Sequence, residues 1–287
     1  RMVLVLEKGK EQKAFDIFKK WGLNAVVIGQ VTADKMFRIL ENGVVVAEVP
    51  ADALAGDAPV YIRSEKRPAY QDAVQALSDS DVPDIQWTEV DAVAQAIVRN
   101  PSISSKRWVY EQYDHMVQTN TALRPEAADA AVLRIKGSRK MLAASTDCNS
   151  RYVYLDPERG GQLAVAEAAR NVACTGARPL AITNCINWGN PEKPEVFWTL
   201  ARAIDGMAEA CRVLETPVIS GNVSLYNESP KGAIFPTPVV GTVGILADDV
   251  KPMGNKIKQA NLRLILIDAQ STRQSEGLDG IGGSYYL

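Results

Sequence analysis

Histidine is nearly missing from this sequence. His115 is the single one in 287 residues, beside 34 acidic and 32 basic side chains. A lone imidazole cannot build a multi-histidine metal centre, which removes the zinc-hydrolase templates. Cysteine is sparse too: Cys148, Cys174, Cys185 and Cys211 form no CxxC pair. Neither a zinc knuckle nor a disulfide framework is expected, and reduced thiols fit a cytoplasmic protein. No apolar run approaches the roughly 20 residues that span a bilayer. The opening Arg1-Met2-Val3-Leu4-Val5-Leu6 lacks the series of charged leader, apolar core and cleavage site. No membrane partner is expected. A net charge of -2 gives no electrostatic reason to expect nucleic acid. The P-loop pattern GxxxxGKS/T and the nucleophile elbow GxSxG are both lacking.

What is there reads as globular α+β, with an apolar fraction of 46% and charged residues at 23%. The length suggests about two domains. Residues 2–6 read as a strand and residues 10–21 as an amphipathic helix, with Ala14, Phe15, Phe18 and Trp21 on one stripe. Gly22 ends that helix. Residues 25–28, 37–40 and 44–49 read as strands, the last two joined through Asn42-Gly43, a hairpin signal. This β-α-β-β-β stretch is too small to bury much alone and looks like the end of a larger domain.

From 63 to 105 the character changes. Asp79, Asp81, Asp84, Glu89 and Asp91 come with no base among them, and Pro68, Pro83 and Pro101 punctuate the run. It reads as a solvated linker with one short helix over 90–98, stopped before Asn100-Pro101; an acidic docking segment is the alternative. Beyond it, 131–135, 142–145, 152–155, 180–182, 218–219, 239–246 and 262–267 are strand candidates. An alanine-rich helix is expected over 161–175. A long one follows through Phe197, Leu200, Ile204, Met207, Cys211 and Leu214, with Pro194 at its start.

Three polar turns follow strands: Ser145-Thr146-Asp147-Cys148-Asn149, the run from Thr183 to Pro191, and the run from Ser220 to Glu228. Strand ends that feed polar turns are where αβ proteins place ligands. Gly160-Gly161 reads as a possible phosphate nest at a helix N-terminus. Together they suggest an oxygen-lined pocket, which suits Mg²⁺ with a nucleotide. His115, in Tyr113-Asp114-His115-Met116, reads as a packed, hydrogen-bonded histidine, with a general base as the alternative.

These segments resemble the small, glutaminase-separate type of phosphoribosylformylglycinamidine synthase, large catalytic subunit. The resemblance runs along the whole chain and is most specific in four places. They are Lys106-Arg107-Trp108 through Gln118; Thr146-Asp147-Cys148-Asn149-Ser150-Arg151-Tyr152-Val153-Tyr154-Leu155-Asp156-Pro157; Glu167-Ala168-Ala169-Arg170-Asn171; and the run from Ser220 to Glu228. It implies an ATP-dependent ligase of purine biosynthesis. Such an enzyme phosphorylates the amide oxygen of formylglycinamide ribonucleotide, and ammonia then displaces the phosphate to give the amidine.

The resemblance implies two pseudo-repeated halves, each an ATP-binding αβ domain followed by a second αβ domain, in an aminoimidazole-ribonucleotide-synthetase-like fold. Residues 1–62 would end the first half's second domain, 63–105 would link, 106–248 would be the second half's ATP-binding domain, and 249–287 would begin the last. The chain is thus expected to be a fragment cut at both ends, inactive by itself. Carried over by motif, Asn184 and Gly221 would contact ATP, Asn222 would bind Mg²⁺ and Ser224 the ribonucleotide, with Asp147 a further pocket residue. At Asn184 the family usually has Asp, and at Trp188 often Phe; Asn loses the charge but keeps an acceptor. Arg170 and Asn171 would echo a substrate-and-metal pair of the other half, where the family's catalytic histidines lie. A glutaminase and a small accessory subunit are the implied partners. The alternatives are a structural half with a degenerate pocket, and a relative such as aminoimidazole ribonucleotide synthetase, selenophosphate synthetase or thiamine-phosphate kinase.

Overall fold

The computed structural model describes residues 2–77, 81 and 84–265. The chain divides into two compact units, 1–62 and 63–287.

In the first unit the helix α1 (Glu11–Lys20) ends as the sequence dictates. Gly22, at φ 68°, lets the Leu23 N–H reach the Phe18 carbonyl and its own N–H reach Lys19. Strands β1 (Met36–Glu41) and β2 (Val44–Pro50) form an antiparallel hairpin with Glu41 opposite Val44. Asn42 and Gly43 both take positive φ, the geometry a two-residue turn requires for the twist of its strands. Residues 2–6 and 25–28, expected as strands, are irregular and largely exposed. An apolar run becomes a strand only when a neighbouring edge pairs it, and β1 and β2 pair only with each other. No residue of α1, β1 or β2 is buried.

The second unit begins with two short helices, α2 (Ala69–Gln75) and α3 (Val90–Arg99), where the sequence suggested one. Within the mostly exposed stretch from 63 to 105, residues at its opening are packed. Tyr70 stacks on Tyr154 at 4.4 Å, and fully buried Gln71 donates Nε2 to the Tyr154 carbonyl at 2.7 Å. After the single turn α4 (Arg107–Tyr110) come β3 (Thr121–Leu123), β4 (Ala131–Arg134), β5 (Met141–Asp147), the helices α5 (Ser150–Leu155) and α6 (Pro157–Cys174), and β6 (Arg178–Asn187). Helix α7 (Pro194–Val213), β7 (Val218–Ser224), the short β8 (Glu228–Ser229) and β9 (Gly232–Ala233), and β10 (Thr237–Leu246) complete it. Residues 262–265 hold no strand, and the rest of the strand expected there lies outside the described residues.

Six of these strands make one sheet in the order β3-β4-β5-β10-β6-β7. All neighbours run antiparallel except β6 and β7, which α7 connects as a parallel pair. Strand β10 pairs with β5 on one side and β6 on the other. Helices α6 and α7 cover one face. Val165 and Ala168 of α6 meet Met207 and Cys211 of α7 over Ile182 and Val240 of the sheet. Glycines let the two helices approach: a Cβ at Gly161 would strike the Ala203 carbonyl, and one at Gly206 the Glu158 carbonyl.

Two expectations are corrected here. Residues 152–155 are helical despite their β-branched and aromatic content. Asn149 caps α5 by accepting the Arg151 N–H at 3.0 Å, and Asp156 caps α6 through the Arg159 N–H at 3.0 Å, with Pro157 at its first position. Because α6 starts at Pro157, Gly160 and Gly161 lie inside it, buried against Val153 and Ala203. They serve packing and do not form a phosphate nest.

Candidate functional site

The parallel pair β6–β7 gathers four of the five residues singled out. In register, Asn184 faces Gly221, Cys185 faces Asn222, and Asn187 faces Ser224. The row extends across the sheet, since Val240 lies opposite both Asn184 and Asp147. Because paired residues point to the same face, Asp147, Val240, Asn184 and Gly221 share the helix-covered face, where Val240 is fully buried. Asn222 and Ser224 point to the other. The fifth residue, Asp147, thus lies on the row of Asn184 but two strands away.

At Gly221 the absence of a side chain is required. A Cβ there would overlap Asn184 Oδ1 and come within 2.7 Å of its carbonyl. The Asn184 amide therefore lies over the Gly221 backbone, and polar groups replace side-chain packing at this spot.

Asp147 is held by Asn171 of α6, whose Nδ2 donates to Oδ1 at 3.0 Å, while its buried Oδ2 has no partner among the described residues. Glu167, also on α6, has its carboxyl pushed up by burial first and by the Asp147 charge second. Burial first, and then the charges of Glu167 and Asp147, push the Cys148 thiol up to about 12, away from the thiolate form. A cleft of about 440 Å³ lies alongside, lined by Cys148, Asn149, Tyr152, Glu167 and Phe235 among others. Arg170 lies on α6 next to Asn171 and is exposed.

The polar run from Thr183 to Pro191 is not a loop. Strand β6 continues to Asn187, and Trp188 is 1% exposed, its indole N–H donating to Thr199 Oγ1 of α7 at 3.0 Å. Beyond it, segments 188–193 and 224–228 are fastened together. The Trp188 N–H donates to the Ser224 carbonyl at 2.9 Å and the Tyr226 N–H to the Gly189 carbonyl at 3.0 Å. Glu228 accepts the Asn190 N–H at 2.9 Å and pairs with Lys193 at 2.7 Å. The Lys193 hydrogen bond and the Asn190 N–H hold the Glu228 carboxyl below its usual value. Asn227 joins both segments through its side chain. Asn227 and Glu228 were within a run the sequence pointed to, but their roles were not legible there.

His115 is the packed histidine expected. Its Nε2 lies 3.1 Å from the Tyr110 carbonyl, which can only accept, and its ring meets Tyr110 edge-on at 5.9 Å.

The donor set limits any metal. Among the described residues no three His, Cys, Asp or Glu side chains come together to hold an ion. Asn222 offers one neutral, hard oxygen. That fits Mg²⁺, which keeps waters and draws its remaining ligands from phosphates, and does not fit a cage built by protein alone.

The profile of the AIR synthase related protein N-terminal domain matches residues 127–246, and that of the C-terminal domain matches residues 1–41. The chain is 53% identical, over all 287 residues, to the phosphoribosylformylglycinamidine synthase subunit PurL of Moorella thermoacetica (strain ATCC 39073 / JCM 9320) and spans 38% of that protein. T. maritima PurL complexed with AMPPCP superposes with a TM-score of 0.61 at 32% identity, over 83% of this chain and 37% of that one. T. maritima PurL complexed with FGAR gives 0.61 at 31% identity, over 83% and 35%. The structure of PurLQS from Thermotoga maritima gives 0.62 at 30% identity, over 84% and 37%.

Proposed function

We propose that the chain, whose residues 127–246 and 1–41 match the AIR synthase related N-terminal and C-terminal domains, is a segment of an ATP-dependent carbon–nitrogen ligase of purine biosynthesis. The reaction is conversion of formylglycinamide ribonucleotide, ATP and glutamine-derived ammonia to the amidine through an iminophosphate. One observation carries the reading. The residues that the family resemblance assigns to ATP, metal and substrate lie in register toward the C-terminal side of the two parallel strands β6 and β7, Asn184 and Gly221 on one face and Asn222 and Ser224 on the other. In αβ sheets the C-terminal side of the strands is where ligands bind. The AMPPCP and FGAR complexes of the relative support it.

In this reading Gly221, whose missing side chain admits the Asn184 amide, contacts ATP together with Asn184, and Ser224 holds the ribonucleotide. Asn222 holds Mg²⁺, which when bound neutralises phosphate charge. Asp147 is the further pocket residue. The acid–base group is expected from the other half, so the 287 residues alone should turn over no substrate. The division into 1–62, a connecting 63–105, a nucleotide-binding 106–248 and the beginning of another domain at 249–287 belongs to the same proposal. So do a cytoplasmic location and a glutaminase with a small accessory subunit as partners. A relative solved as PurLQS supports the partners. Among the described residues no helix is long and apolar enough to cross a membrane.

A second reading is a structural half whose pocket has degenerated. Asn171 favours it, since this neutral side chain fills one oxygen of Asp147. Titration calorimetry of Mg-ATP into the full-length polypeptide and its Gly221→Val variant separates the two. The ligase reading expects at least tenfold weaker binding, about 1.4 kcal/mol. Unchanged affinity would sink it in favour of the structural half.

A further inference from the structure

We infer that Asn227 is the positioning residue that fixes the Ser224 hydroxyl for its ligand. The inference rests on the reading that Ser224 holds the ribonucleotide. Ser224 is the last residue of β7, and a serine hydroxyl at a strand end is free to choose among staggered rotamers. Asn227 removes that freedom. Its Nδ2 donates to the Ser224 carbonyl at 2.9 Å and the Trp188 carbonyl at 3.0 Å, and lies 3.1 Å from Ser224 Oγ. Its Oδ1 is farther from Oγ, at 3.4 Å.

The two N–H groups of the amide are directed at the two carbonyls, so Oγ shares one of them at most, and the Oγ proton is directed to Oδ1. A Ser224 oriented in this way presents a lone pair outward, which suits a hydroxyl or N–H donor of a ribonucleotide. The amide itself is anchored. The Asn227 N–H donates to the Trp188 carbonyl at 3.0 Å, and Trp188 is tied by its indole to Thr199. On the next residue, Glu228 accepts the Asn190 N–H. A continuous set of hydrogen bonds thus runs from helix α7 through Trp188 and Asn227 to Ser224. Both carbonyls also accept a backbone N–H, from Trp188 and from Asn227, so the amide that fastens the two segments also fixes the Ser224 hydroxyl.

Steady-state kinetics on the full-length polypeptide test this. Asn227→Ala should raise KM for formylglycinamide ribonucleotide about fivefold, the loss expected for one neutral hydrogen bond, with kcat and the KM for ATP near wild type. In a Ser224→Ala background the Asn227→Ala change should add nothing further. If Asn227→Ala does not fold, Asn227→Asp keeps the volume and loses the donors to Oγ and both carbonyls, and the same rise is expected. An unchanged ribonucleotide KM in a folded Asn227 variant, or an equal rise in both KM values, overturns the inference. Ser224→Ala with a wild-type KM overturns the substrate reading and the inference with it. A raised KM in Ser224→Ala beside a normal one in Asn227→Ala overturns the positioning role alone.

Discussion

The two faces of the six-stranded sheet are made from the same strands by alternation, yet they obey different rules. On the helix-covered face Val132, Ala143, Ile182, Val240 and Leu246 are buried, and even polar Ser145 is satisfied by the Ala168 carbonyl at 2.8 Å. On the other face Leu133, Leu142 and Val243 are exposed, and Asn222 and Ser224 stand at the end of the strands. Burial on the first face leaves few substitutions neutral, because close packing transmits every added atom. The second face keeps its polar groups accessible, and chemistry is possible there for that reason. Asn184 and Gly221 are the exception that joins the faces: they lie on the packed side but at its open edge, where β7 is exposed.

The comparison breaks most visibly at the helix contact. Gly206→Ala would drive a methyl into the Glu158 carbonyl and should cost about 3 kcal/mol by forced displacement of α6 from α7; a denaturation midpoint equal to wild type would show that the helices can part without loss. Next in size is Thr199→Val, which removes the acceptor of the buried Trp188 indole and should cost about 2 kcal/mol for the unpaired donor, read by urea unfolding.

A smaller effect is expected at Glu228, and it depends on pH. Its carboxyl is held below the ordinary 4.5 by Lys193 and the Asn190 N–H. A lowered carboxylate stabilises the folded state above its unfolded pKa and loses that contribution as pH falls through the folded value. Glu228→Gln should therefore melt below wild type at neutral pH, and the two curves should converge as pH falls below the ordinary carboxylate value. Least of all should follow from Leu142→Thr on the open face, where the change in stability of the 287-residue chain is expected within about 0.5 kcal/mol. A loss as large as that of Gly206→Ala would mean that the open face is covered.

Much of this architecture could be read from residue patterns. Periodicity marked α1, α3, α6 and α7, and the Asn42-Gly43 turn marked its hairpin, because these depend on local physics. Strand β6 was only partly legible. Its Thr183-Asn184-Cys185 stretch is polar, but the pairing of its backbone with β10 and β7 is indifferent to side-chain polarity. Residues 152–155 misled in the opposite way: their side chains favour a strand, and two caps outweighed them. At the site, motif resemblance named Asn184, Gly221, Asn222 and Ser224, and the register brings them onto two adjacent strands. It could not say which face each would occupy. Asn227 was invisible as a distinct residue, since only three-dimensional closure of segments 188–193 and 224–228 gives its amide three partners at once.

Strand β10 is last of the sheet in sequence and central in space. Until residues 237–246 are made, β3-β4-β5 and β6-β7 share no strand pairing, and α6, which packs on both β5 and β6, is what relates Asp147 to Asn184. Closing the sheet then depends on a long-range pairing that is slow compared with helix formation.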